Sequence, residues 1–111
     1  MSSHVSRYRA VVRLRPEHAA AYLALHANPW PEVTTALAEA GVRNYSIYER
    51  DGLLMSYLEY VGDDLEEDMA KMAADPVTQE WWKICMPMQR QLETAGESEW
   101  WASMEEVFHQ P

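Results

Sequence analysis

Asp51-Gly52 is the feature that most constrains this chain. The pair sits between two long runs, Val42 to Arg50 and Leu53 to Tyr60, rich in tyrosine and aliphatic residues. An Asp-Gly pair supplies the two positive-φ positions of a tight hairpin turn whose twist matches that of paired strands. A two-residue turn fixes the register: Glu49 faces Leu54, Ile47 faces Ser56 and Tyr45 faces Leu58. One face of the hairpin carries Tyr45, Ile47, Leu54, Leu58 and Tyr60; the other carries Asn44, Ser46, Tyr48, Met55, Tyr57 and Glu59. The first face requires covering helices. The second is semi-polar and calls for something other than a monomer's own core.

The remaining elements follow from periodicity. Arg7 to Leu14 alternates, with Tyr8, Ala10, Val12 and Leu14 on one side and Arg7, Arg9, Val11 and Arg13 on the other, the pattern of a strand. Pro16 suits the first turn of a helix rich in alanine and leucine. Asn28-Pro29-Trp30-Pro31 breaks it, and Asn28 is expected to cap a second helix, with both prolines in its first turn, that Gly41 stops. Asp63 or Asp64 caps a third helix bearing Leu65, Met69, Met72 and Ala73. Asp75-Pro76 starts a fourth bearing Trp81, Trp82, Ile84 and Cys85, interrupted at Pro87. Glu93 to Glu99 reads as a polar loop and Met104 to His109 as a last short strand. The order β-α-β-β-α-(α)-β predicts an α+β, ferredoxin-like four-stranded antiparallel sheet with helices on one face. Two such sheets paired face to face, as a homodimer, would cover the outer face with its Arg7, Arg9, Arg13 and Glu59.

Composition narrows the functions. With 111 residues and 48% apolar content, the chain predicts one domain over residues 1–111. Eighteen acids against nine bases give a net charge of −9, which disfavours nucleic acid and anionic membranes as partners. Cys85 is the single cysteine, so no intrachain disulfide forms. No leader-type or membrane-spanning apolar stretch is evident, and the expected location is cytoplasmic.

Few residues are equipped for chemistry. Tyr22 and His26 are four apart and share a helix face, and Tyr45 lies on the helix-facing side of the sheet. His26 stands just before the helix break, where irregular backbone favours a pocket, and histidine both gives and takes protons near neutrality. Four of the five tryptophans form adjacent pairs, Trp81-Trp82 and Trp100-Trp101, and adjacent side chains cannot all serve one core face. No phosphate loop is present, and Cys85 has no activating cue. His4, His18, His26 and His109 are scattered, so no metal site is expected.

Four blocks, in order, resemble the L-rhamnose mutarotase family: His26-Ala27-Asn28-Pro29-Trp30-Pro31-Glu32, Asn44-Tyr45-Ser46-Ile47-Tyr48, Trp81-Trp82-Lys83 and Glu105-Glu106-Val107-Phe108. The resemblance covers nearly the whole chain, but the 93–103 segment matches poorly and Trp100-Trp101 falls outside the pattern. It implies a dimeric α/β barrel with a monosaccharide pocket between sheet and helices in each subunit. The family's pocket histidine maps to His26, its pocket tyrosines to Tyr22 and Tyr45, and its tryptophan pair to Trp81 and Trp82. The expected reaction is acid/base interconversion of the pyranose anomers of a 6-deoxy hexose, L-rhamnose first, with His26 catalytic. It requires no cofactor or metal. L-Fucose or another sugar, a monooxygenase or haem-degrading enzyme of the same fold, and a non-catalytic sugar-binding dimer are the alternatives.

Overall fold

Asp51 and Gly52 both adopt positive φ, 52° and 79°, in the computed structural model of the protein. The backbone N–H of Gly52 donates to the Glu49 carboxylate (3.1 Å), and its carbonyl accepts from Leu14 N–H (2.8 Å), so the hairpin tip is tied to the neighbouring strand. The structure describes residues 5–111; His4 lies outside them.

The chain forms β1 (Ser6–Leu14), α1 (Ala19–Ala27), α2 (Pro31–Glu39), β2 (Val42–Arg50), β3 (Leu53–Tyr60), α3 (Leu65–Ala73), α4 (Pro76–Cys85), β4 (Gln89–Arg90) and β5 (Ala102–Ser103). The antiparallel sheet has the order β2-β3-β1-β4, with β5 also paired to β1. This is the expected ferredoxin-like α+β arrangement. Val12, Leu14 and Leu54 from the sheet, Tyr22 from α1, Val33 from α2, and Trp81 and Cys85 from α4 form the buried core between the two layers. Among the described residues, no helix is long and apolar enough to cross a membrane.

Several local expectations are corrected. Pro16 opens a short 3-10 turn, Pro16–His18, that leads into α1. Asn28 ends α1 instead of capping α2, whose N-cap is Trp30 with only Pro31 in the first turn. A residue before proline is pushed to extended backbone, so Asn28 and Trp30 both leave the helical region and α2 begins at the second proline. Asp64 caps α3 and Asp75 caps α4, each accepting from a backbone N–H three residues on.

The fourth strand is not Met104 to His109. Two short strands share that edge of β1: Gln89–Arg90 pairs with Arg13 and Leu14, and Ala102–Ser103 with Ala10 and Val11. The chain between them leaves the sheet to form the Trp100-Trp101 segment. Past Met104, whose N–H still donates to Arg9 (3.0 Å), the tail departs and leaves Val107 and Phe108 exposed.

The predicted hairpin register holds from Arg50↔Leu53 to Ser46↔Tyr57, then slips by one residue, with Arg43 opposite Glu59. Asn44 and Tyr45 together oppose Leu58, so the pairing of Tyr45 alone with Leu58 is replaced by a β-bulge. Asn44 takes φ 48°, a left-handed conformation that asparagine tolerates better than most residues. The extra residue resets the alternation, so Val42 and Ile47 both face the helices.

Candidate active site

Alanine and leucine carry α1 up to the Asn28-Pro29 break, which puts His26 in the last helical turn. Nδ1 of His26 lies 2.9 Å from the carbonyl oxygen of Tyr22. A carbonyl only accepts, so Nδ1 carries a proton and Nε2 is the nitrogen left for exchange. The His26 ring stacks on Tyr22, with centroids 4.2 Å apart and planes at 21°, and meets the edge of Trp81 at 5.2 Å. Trp81 in turn meets Trp30 edge-on at 5.1 Å. Two aromatic neighbours therefore hold the imidazole in place.

Tyr22, His26 and Trp81 form one wall of a cleft of about 750 Å³ between helices and sheet. That volume lies within the range of about 300–1,000 Å³ usual for small-molecule sites. Tyr45 reaches it from the β2 bulge, and Trp81 and Trp82 from α4. Trp81 is buried; Trp82 is half-buried and also packs on the core. Val33, Leu37, Ile47, Leu58, Met69 and Met72 make most of the remaining lining apolar. All five residues singled out from the sequence, Tyr22, His26, Tyr45, Trp81 and Trp82, thus line one cavity.

Other parts of the four sequence blocks lie elsewhere. Glu32 is exposed in the first turn of α2. Asn44 points to the opposite sheet face, where its amide donates to Glu59 (2.6 Å). Glu106 makes a two-pronged contact with Arg7, both distances 3.0 Å, at the tail. None of these three residues lines the cleft.

Among the lining residues not singled out from the sequence are Gln89, Trp100 and Trp101. Gln89 is buried, accepts from Trp100 Nε1 (2.7 Å) and donates to the Tyr22 hydroxyl (2.9 Å). The segment bearing the second tryptophan pair is fastened by Glu99, whose carboxylate accepts from the N–H groups of Gly96 (2.9 Å) and Ser103 (3.2 Å). The unusual Trp-Trp pair was the available signal for this wall. A lone glutamine after a proline interruption gave none.

The environment keeps the phenols protonated. Burial pushes the Tyr22 hydroxyl well above the usual tyrosine value, opposed in part by the Gln89 amide. Tyr45 is 40% exposed as a whole, yet burial around its hydroxyl raises it to about 12. Burial also raises the Cys85 thiol to about 11, which keeps it un-ionised and a poor nucleophile. Among the described residues, no group of three or more His, Cys, Asp or Glu is placed to hold a metal ion. The cleft therefore presents one imidazole, two phenol donors and several apolar surfaces.

Comparison with known proteins gives the family. The family model for L-rhamnose mutarotase matches residues 7–110. An L-rhamnose mutarotase of Sinorhizobium fredii is 36% identical over 108 residues, covering 95% of this chain and 98% of that protein. The crystal structure of an L-rhamnose mutarotase from Formosa agariphila superposes with a TM-score of 0.71 at 24% identity, covering 96% of this chain and 99% of the other. Tetracenomycin F2 cyclase from Streptomyces glaucescens shares the fold at a TM-score of 0.68 and 21% identity, over 96% and 99% of the two chains. The same scaffold thus serves different chemistry, and the fold likeness alone would not separate them. The family match over nearly the whole length does: this chain belongs to the L-rhamnose mutarotase family.

Proposed function

We propose that the protein interconverts the α and β pyranose forms of L-rhamnose, with His26 as the proton carrier. The observation that carries this reading is the Nδ1 contact of His26 with the Tyr22 carbonyl, inside a cleft walled by phenols and indoles. With Nδ1 committed, Nε2 takes the proton of the anomeric hydroxyl as the C1–O5 bond breaks, and the imidazolium so formed gives a proton from Nε2 to O5. The sugar opens to the aldehyde, C1 turns, and the O5 hydroxyl re-adds to the other face as both protons return. Atoms and charge balance, and no covalent intermediate is needed. A positioned acid/base group supplies about 10²–10⁴-fold acceleration. Tyr22 and Tyr45 donate to sugar oxygens, and the indoles and Met69 and Met72 cover the apolar face and the C6 methyl.

A single domain, a cytoplasmic location and a homodimer belong to the same proposal. The outer sheet face supports the dimer. Tyr48, Leu53 and Met55 are exposed there.

Saturation transfer between the anomeric proton signals of L-rhamnose tests the activity. The expected result is exchange far above the rate in water. Binding without added exchange would instead mark a sugar-binding protein.

A further inference from the structure

The hydroxyl of Tyr22 is held in one hydrogen-bonding sense by two residues from the far edge of the sheet. Tyr22 and Gln89 are 2% and 4% exposed, so neither relies on bulk water. An indole N–H can only donate, so the 2.7 Å contact with Trp100 Nε1 requires the amide oxygen of Gln89 on that side. The amide NH₂ must then face Tyr22, and since it too can only donate, the phenol oxygen accepts at 2.9 Å. The phenol's own proton is thereby left over. Among the described residues, no protein acceptor takes it, and Tyr22 lines the cleft.

We propose that Gln89 and Trp100 are positioning residues that make Tyr22 an obligate hydrogen-bond donor to an acceptor oxygen of the bound sugar. The inference rests on the reading above that the sugar occupies this cleft. A phenol next to an ordinary acceptor would spend its proton on the protein and offer the sugar only lone pairs. Here the indole sets the amide, the amide sets the phenol, and the phenol offers a proton. The 93–103 segment, which departs from the family pattern, is thus tied into the site through Trp100.

Gln89→Glu tests the polarity of this relay with little change of shape. The carboxylate accepts from both Trp100 and Tyr22 and draws the phenol proton away from the sugar. Anomer exchange should fall by about 5- to 100-fold, the range expected for an unsatisfied buried polar group. It should recover relative to wild type as pH is lowered, because a protonated carboxyl again accepts on one side and donates on the other. Trp100→Phe, which frees the amide to turn over, should lower exchange in the same direction. Neither change should cost anything further in a Tyr22→Phe background. Equal losses with and without the Tyr22 hydroxyl, or a Gln89→Glu loss that ignores pH, would overturn the relay and leave the pair structural. If Tyr22→Phe does not fold, the pH response of Gln89→Glu decides. If wild-type protein shows no exchange, the mutarotase reading fails instead. The same variants are then compared by tryptophan-fluorescence titration with L-rhamnose, and a wild-type protein with no affinity for it overturns both.

Discussion

Nδ1 of His26 lies 2.9 Å from the carbonyl oxygen of Tyr22, the residue one helical turn before it. The same Tyr22 stacks its ring on the imidazole and carries the hydroxyl that Gln89 contacts. One residue therefore fixes the tautomer of the proposed proton carrier, the tilt of its ring and a hydroxyl beside it. Turning the His26 ring would cost both the carbonyl contact and the stacking.

Trp81 and Trp82 should behave differently. Trp81 is 6% exposed and touches both His26 and Trp30, so Trp81→Phe should lower stability by about 0.5–3 kcal/mol and disturb exchange through the imidazole. Trp82 lines the cleft from a half-buried position, so Trp82→Phe should weaken sugar binding by about 0.5–1.5 kcal/mol with little change in Tm. Thermal melts and sugar titrations of the two variants separate these effects. Identical behaviour would contradict the assignment.

Asn44 should matter through its backbone. Its φ of 48° forms the bulge that brings Tyr45 to the cleft. Asn44→Ala should cost about 1 kcal/mol, because alanine lacks the short polar side chain that lets asparagine tolerate the left-handed region, and should weaken sugar binding. Asn44→Gly keeps the backbone conformation and should retain binding better than Asn44→Ala, although it also loses the contact with Glu59. The reverse order in a sugar titration would show that the Glu59 contact, and not the bulge, positions Tyr45.

The fold was largely legible because its signals are local. Asp51-Gly52 dictated a turn, and the alternation of Tyr8, Ala10, Val12 and Leu14 dictated β1. The Tyr22 and His26 spacing put two site residues on one helix face. What escaped were features set by tertiary competition. The bulge at Asn44 and Tyr45 follows from the need to bury Val42 and Ile47 on one face, which strict alternation forbids. The β1 edge is filled by Ala102 because the segment from Gln91 to Trp101 bulges away from the sheet, a fact no periodicity records. Gln89 became part of the site through an indole eleven residues further on.

Acid should loosen the segment carrying Trp100. Backbone N–H groups of Gly96 and Ser103 hold Glu99 below the usual carboxylate value, Arg13 does the same for Glu93, and Arg7 for Glu106. A carboxylate with a lowered folded-state pKa stabilises the fold above its unfolded value and loses that contribution as pH falls through the folded one. Tm should therefore decline from about pH 5 downward. Glu99→Gln should lower Tm at neutral pH and flatten part of that decline. An unchanged slope would mean Glu99 does not fasten the segment.

Light scattering at micromolar concentration should give about twice the 12.8 kDa chain mass. Tyr48→Asp, on the exposed outer sheet face, should shift the protein toward monomer. A wild-type protein that stays monomeric would remove the face-to-face dimer.

Saturation transfer between the anomeric protons of L-rhamnose, with wild-type and His26→Ala protein side by side, tests the central claim most directly. His26 sits at the end of α1 beside the proline break and is only partly buried, so its truncation should lower Tm modestly through the lost ring contacts and leave the mass unchanged. Exchange should fall by about 10²-fold or more. Near-normal exchange in His26→Ala, with loss in Tyr45→Phe, would contradict His26 as the proton carrier.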